Sequence, residues 1–156
     1  FLAWESSSSV QDVHAIVLGG HTEATMVPIV STSTIGGVPL AAAMPQDKID
    51  ACVARAKNGG AEIVSLLKTG SAFYAPAAAT CEMVEAVLLD KKRVLPCAVY
   101  AEGQFGIKDA FVGLPLKLGS GGIEQVYEPA LANDEVEAIR GAADATNELI
   151  QLIESK

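Results

Sequence analysis

Read for its apolar rhythm, the chain falls into runs of two periods. Phe1 to Glu5 reads as a short helical piece, the end of a helix that begins upstream, and Ser6 to Ser9 as a polar break. Val10 to Leu18 alternates as a strand should, with Val10, Asp12, His14, Ile16 and Leu18 on one face and Gln11, Val13, Ala15 and Val17 on the other. Met26 to Ser33, rich in β-branched Val27, Ile29, Val30 and Thr32, predicts a second strand, ended by the turn Gly36-Gly37-Val38-Pro39. The period then lengthens. Gln46-Asp47 opens a helix with Ile49, Val53 and Ala56 on one face. Asn58-Gly59-Gly60 should stop or kink it, since glycine costs about 1 kcal/mol against alanine in a helix. Ile63, Leu66 and Leu67 resume the stripe, and Thr69 to Ala72 breaks the chain again.

A further helix is expected from Tyr74 to about Leu89, with Pro76 tolerable in its first turn and Met83, Val84, Val87 and Leu88 supplying bulk. Asp90 to Arg93 is a charged turn. Val94 to Ala101 predicts a strand whose Pro96 favours a sheet edge, because proline has no N–H for the ladder. After the turn region Glu102 to Asp109, Ala110 to Leu118 and Ile123 to Tyr127 make two more strands, joined through Gly121-Gly122. Asn133 can cap a closing amphipathic helix, with Val136, Ile139, Ala143, Leu149, Ile150 and Ile153 inward and Glu135, Glu137, Arg140 and Glu148 on the wet side. Two strands, two helices, a three-strand antiparallel meander and a helix lack regular βαβ alternation. The fold class is therefore α+β, a mixed or antiparallel sheet packed with helices.

Composition narrows the function more than the fold. At 156 residues, half of them hydrophobic, the chain can bury one core, so residues 1–156 read as a single domain. A net charge of −8 argues against nucleic acid and anionic membrane surfaces as partners. No apolar run approaches the roughly 20 residues of a membrane helix, and Phe1 to Glu5 lacks the basic start of a signal peptide. Cys52, Cys81 and Cys97, widely spaced among aliphatic residues, read as reduced, buried thiols of a cytoplasmic protein, and no metal site is expected. No Gly-x-Gly-x-x-Gly stands between a strand and a helix, so the chain carries no dinucleotide cradle of its own. Gly119 to Gly122 lies between two strand-like runs and reads as a turn.

The candidate chemistry sits where the first strand ends. Ala15-Ile16-Val17-Leu18 runs into Gly19-Gly20 and then His21. Glycine permits a sharp turn and close approach, and histidine can take and return a proton near neutral pH. A histidine after such a turn is commonly a plain loop residue, and the residues alone leave both readings open.

The segment Gly19-Gly20-His21-Thr22-Glu23-Ala24-Thr25-Met26-Val27-Pro28, followed by Ser31-Thr32-Ser33-Thr34-Ile35-Gly36-Gly37-Val38-Pro39-Leu40, resembles the active-site histidine segment of malate dehydrogenases of the lactate/malate dehydrogenase family. That family usually reads Gly-Gly-His-Gly-Asp-Thr-Met-Val-Pro; here the loop is one residue longer and no glycine follows the histidine. Leu66 to Ala79, Lys91 to Tyr100 and Gly103 to Asp109 are similar to further blocks of its C-terminal catalytic domain, in the same order. The resemblance implies that His21 is the acid/base partner of hydride transfer between a small 2-hydroxy acid and NAD. It implies that Thr25-Met26-Val27 pass near the nicotinamide, with Met26 the cofactor contact, and that Ser71 and Ala72 line the substrate pocket. Ser71 can equally be an N-cap ahead of the Tyr74 helix. The family's orienting carboxylate, its substrate-clamping arginines and its NAD-binding domain correspond to sequence upstream of Phe1. Arg55, Arg93 and Arg140 fall in segments it assigns to structure.

The expectation is the catalytic domain of an NAD-dependent malate dehydrogenase without its dinucleotide-binding domain, inactive by itself and assembling as a homo-oligomer. Two alternatives stand beside it. The alanine-rich helix after Tyr74 and the closing helix suit a subunit-association module. An unrelated hydrolase would pair His21 with Glu23, although no Gly-x-Ser-x-Gly or His-Glu-x-x-His motif accompanies them.

Overall fold

In a computed structural model that describes residues 1–154, six strands form a single antiparallel sheet with helices packed against it. Helix α1 (Leu2–Ser6) and a 3-10 turn (Val10–Asp12) lead into β1 (Val13–Gly19). β2 (Met26–Ile35) returns beside it, and β3 (Val38–Pro39) and the one-turn helix α2 (Leu40–Ala43) follow. Then come α3 (Gln46–Leu67), α4 (Tyr74–Leu88), β4 (Arg93–Glu102), β5 (Lys108–Gly119), β6 (Gly122–Val126) and α5 (Asn133–Glu154). Strand order is β3-β2-β1-β5-β4, with β6 also paired to β5. The α+β expectation and the three-strand meander hold. Pro96 does lie on an edge strand, since β4 ends the row, and it sits opposite Pro115 of β5.

Several local expectations are corrected. Val10 to Asp12 does not extend β1; the Ser9 hydroxyl accepts the Gln11 N–H at 3.2 Å and winds these residues into a 3-10 turn. The expected two-face alternation also fails further on, because the β1–β2 register shifts between His14 and Ile16. α3 runs unbroken through Gly59-Gly60. Arg55 and Glu62 clamp across the glycine pair with bonds of 3.1 and 2.8 Å, holding the two turns that flank it. β3 and α2 were not foreseen. Leu40 of α2 plugs a small core with Met44, Ile49 and Cys52.

The larger core lies where α4 and α5 cover the sheet, with Leu18, Ile29, Leu114, Leu116 and Ile139 fully buried. α4 contributes less than its sequence suggests: Ala86 is buried, while Met83, Val84 and Leu88 are exposed. In α5, Leu149 and Ile153 are exposed and Glu135 is buried, the reverse of the amphipathic expectation at those positions. Among the cysteines Cys52 is buried, Cys97 half-buried and Cys81 exposed; all three are free thiols. No helix among the described residues is long and apolar enough to cross a membrane.

Candidate active site

The loop carrying His21 is built by β1 and β2 at their shared end, where Leu18 pairs with Val27 and Gly19 with Met26. Only Gly20 to Thr25 bridge them. The Gly20 N–H donates to the Thr25 carbonyl at 2.8 Å, and the Thr22 carbonyl accepts from Thr25 and Met26 at 3.0 and 2.8 Å. The Thr22 and Thr25 hydroxyls meet at 2.7 Å, and Thr25 Oγ1 also accepts the Thr22 N–H at 3.2 Å. A loop of six residues thus closes on its own threonines, whose short side chains reach neighbouring backbone groups.

Both glycines ahead of His21 are required by space. Gly19 has φ +81°, and a Cβ there would stand 2.5 Å from the Thr25 carbonyl oxygen and 2.9 Å from Val27 Cγ2. A Cβ on Gly20 would collide with the Thr25 side chain. Gly19 is also the position at which β1 pairs with β5, opposite Gly113, and a Cβ on Gly113 would lie 2.7 Å from the Gly19 carbonyl oxygen. This close crossing brings β5 and its partner β4 beside the histidine.

His21 itself is exposed, and among the described residues it has no hydrogen-bond or ion-pair partner. Glu23 is exposed and makes no bond to it, so the acid–imidazole pair of the hydrolase reading is not assembled. His21 borders two clefts. One, about 470 Å³, lies over the sheet and is walled by Leu18, Met26, Pro96, Ala98, Phe111 and Thr146. The other, about 660 Å³, runs along α5 past Thr22, Thr25, Thr146, Glu148 and Leu149. Met26 is half-buried and adjoins His21 in the first cleft. Neither cleft includes Ser71 or Ala72, which lie between α3 and α4, Ser71 exposed and Ala72 half-buried. Nor is Ser71 a helix cap: Phe73 holds that position and no side chain caps the helix.

All three arginines are engaged elsewhere. Arg55 pairs with Glu62 and lies 4.5 Å from the Phe1 ring centroid, Arg93 pairs with Glu82 at 2.5 Å, and Arg140 donates to the Phe105 carbonyl at 2.7 Å. Sequence reasoning missed Pro96, Ala98, Phe111 and Thr146 as neighbours of His21. Gly113, a glycine inside the apolar run Ala110 to Leu116 of β5, is a local sign that another backbone passes close there.

Residues 1–156 match in full the family model described as lactate/malate dehydrogenase, alpha/beta C-terminal domain. The chain belongs to that family. It is 48% identical over 155 residues to a malate dehydrogenase of Chloroherpeton thalassium, covering 99% of this chain and 50% of the relative. Against a malate dehydrogenase of Pelodictyon phaeoclathratiforme the identity is 51% over 148 residues, 95% of this chain and 47% of the relative. The solved malate dehydrogenase of Salinibacter ruber superposes with a TM-score of 0.94 at 42% identity, over 99% of this chain and 50% of that one. A lactate dehydrogenase of Eimeria maxima, solved with NADH and oxamate, gives 0.92 at 31% identity, over 99% and 49%. The chain thus spans about half the length of the curated relatives it matches.

Proposed function

We propose that this chain is the proton-handling, substrate-side domain of an NAD-dependent dehydrogenase that interconverts malate and oxaloacetate. The observation that carries the reading is His21, unpartnered and exposed between two clefts, in a chain matched end to end by the family's C-terminal domain. Oxidation of a 2-hydroxy acid breaks the O–H bond, and a neutral imidazole at His21 accepts that proton; in reverse the imidazolium returns it to the carbonyl oxygen. Bound NAD would supply the hydride acceptor. The cleft beside His21 suits the nicotinamide end, since its wall carries Leu18, Met26 and Val112 and no acidic, lysine or arginine side chain. Met26 is the proposed ring contact. Ser71 and Ala72 are proposed to meet substrate from the α3–α4 segment once a dinucleotide-binding domain completes the pocket. No Gly-x-Gly-x-x-Gly cradle for a pyrophosphate stands between a strand and a helix among the described residues, so a dinucleotide-binding domain would supply it, and residues 1–156 by themselves are proposed to be one inactive domain. The free thiols suit a cytoplasmic setting. Exposed Tyr74, Val84 and Leu88 along α4 favour a homo-oligomer, and an association role accompanies the catalytic one.

A chimera tests the reading: this chain replaces the matching half of the Chloroherpeton thalassium relative, and NAD reduction by malate is followed. The chimera is expected to turn over, and His21→Asn to lower kcat by about 10²–10⁴. Calorimetry with NADH on the chain alone is expected to show no micromolar binding. A folded but inactive chimera, or an unimpaired His21→Asn variant, refutes the assignment.

A further inference from the structure

We infer that Thr146 of α5 is a positioning residue for His21, whose size sets the space open to the imidazole; the inference deepens the acid/base reading and rests on it. Thr146 is half-buried and lines both clefts, as Gly20 and His21 do. It therefore stands at the partition between the two clefts, while every other α5 residue along them borders one alone. Its hydroxyl donates to the Ala142 carbonyl at 3.0 Å, so its proton is used inside the helix and Thr146 presents bulk, not a hydrogen-bond donor, to the clefts.

The helix leading to Thr146 is tied to the sheet at two places. One turn earlier, Ala142 packs so closely on β1 that a Cβ on Gly19 would lie 3.3 Å from the Ala142 Cβ. Further back, Glu135 is bonded to the backbone of Val30 and Ser31 in β2. α5 is thus tied to both strands that carry the His21 loop, and Thr146 sits on it as a lining residue of the two clefts that His21 also borders. The loop has no side-chain bond to the imidazole itself, so its free space is bounded by neighbouring bulk.

The test needs no cofactor. Carbethoxylation of His21 by diethyl pyrocarbonate is followed by peptide mass spectrometry, with exposed His14 as internal control. Thr146→Ala is expected to raise the His21 rate at least twofold, Thr146→Leu to lower it at least threefold, and near-isosteric Thr146→Val to leave it unchanged, with His14 constant throughout. A His21 rate that does not follow side-chain size at 146, in variants with unaltered circular dichroism, overturns the inference. In the chimera, Thr146→Leu is expected to reduce kcat by more than it raises KM for malate, with Thr146→Val restoring kcat. An inactive parent chimera would refute the dehydrogenase reading while leaving the modification result standing.

Discussion

The carboxylate of Glu135 grips Ser31 across the interface of α5 and β2. Its Oε1 accepts the Ser31 N–H at 2.9 Å, and its Oε2 accepts the Ser31 hydroxyl. Val30 N–H donates to the same Oε1 at 2.7 Å and Ala132 N–H to Oε2 at 3.1 Å. Burial pushes this acid up, but the bonds from the Ser31 hydroxyl and amide, Ala132 and Val30 outweigh it and hold the carboxyl below its ordinary 4.5. Charged hydrogen bonds of this kind contribute about 1.5–3 kcal/mol.

Glu135→Ala should therefore cost about 3 kcal/mol, since it leaves two strand amides without their acceptor. The pH dependence has a definite sign. A folded carboxyl that titrates below its unfolded value makes the unfolded chain bind its proton first, so the contribution is complete above about 4.5 and drains away as pH falls through the folded value. Urea unfolding of wild type and Glu135→Gln between pH 3 and 7 checks this: the gap between them should shrink in acid. A constant gap would mean that the charge of Glu135 is not what holds β2.

Asp90 makes a second tie that acid should loosen. It accepts the Ser120 N–H at 2.7 Å and pairs with Lys92 Nζ at 2.9 Å, joining the α4–β4 turn to the β5–β6 hairpin. The Ser120 amide first, and then Lys92, bring its carboxyl down to about 2. Carbon-detected NMR should find its midpoint well under the ordinary 3.8. In Lys92→Ala it should stay depressed, because the larger cause is the amide. Recovery of the ordinary value in that variant would reverse the order of the two causes.

Strands and hairpins were legible because their signals are local: β-branched runs, and glycine pairs where the chain must reverse. The His21 loop was found for the same reason. Glu135 was misplaced because an acid in the first turn of an amphipathic helix looks solvated, and its partners in β2 lie 104 and 105 residues away. Leu149 and Ile153 repeat with helical period, yet no described element covers them, so the period predicted a face without predicting its cover. Thr146 escaped notice since nothing in its sequence neighbourhood marks proximity to His21. At Gly59-Gly60 propensity was outweighed by context, through the Arg55–Glu62 clamp and the cooperativity of adding turns to an existing helix.

That last reversal gives a sharp test. A Cβ at Gly59 or at Gly60 meets nothing within 4 Å. Gly59→Ala and Gly60→Ala should each stabilise the protein by about 0.5–1 kcal/mol by removing backbone freedom from the unfolded chain. Denaturant midpoints decide it. A loss of stability would show that the pair serves a conformation other than the continuous helix.

Apolar surface on α4 should drive association. Tyr74 is 82% and Leu88 76% exposed, with Val84 between them. Sedimentation velocity from low to high micromolar concentration is expected to show a rising mass, and Val84→Lys with Leu88→Lys to restore the monomer without loss of helicity. These side chains lie outside the core, so the double variant should keep its melting temperature within a few degrees. A concentration-independent monomer in wild type would remove α4 as the contact.

Gly19→Ala should behave oppositely to the α3 glycine variants, although the chemical change is the same. Gly19 holds φ +81°, where an L side chain is strained, and the new methyl would stand 2.5 Å from the Thr25 carbonyl oxygen. The obstacle is backbone, so no rotamer change relieves it. Relief must come from moving Thr25, which is bonded to Gly20 and Thr22, or from lifting β1 off Ala142 and Gly113. Either motion displaces His21. The expected cost exceeds the 1 kcal/mol or so of left-handed strain alone, and a loss of about 2–4 kcal/mol would put Gly19 among buried-clash substitutions. Carbethoxylation of His21 should change in the same variant while that of His14 does not. If Gly19→Ala were as stable as wild type, the tight β1–β2 corner would not be what fixes the histidine.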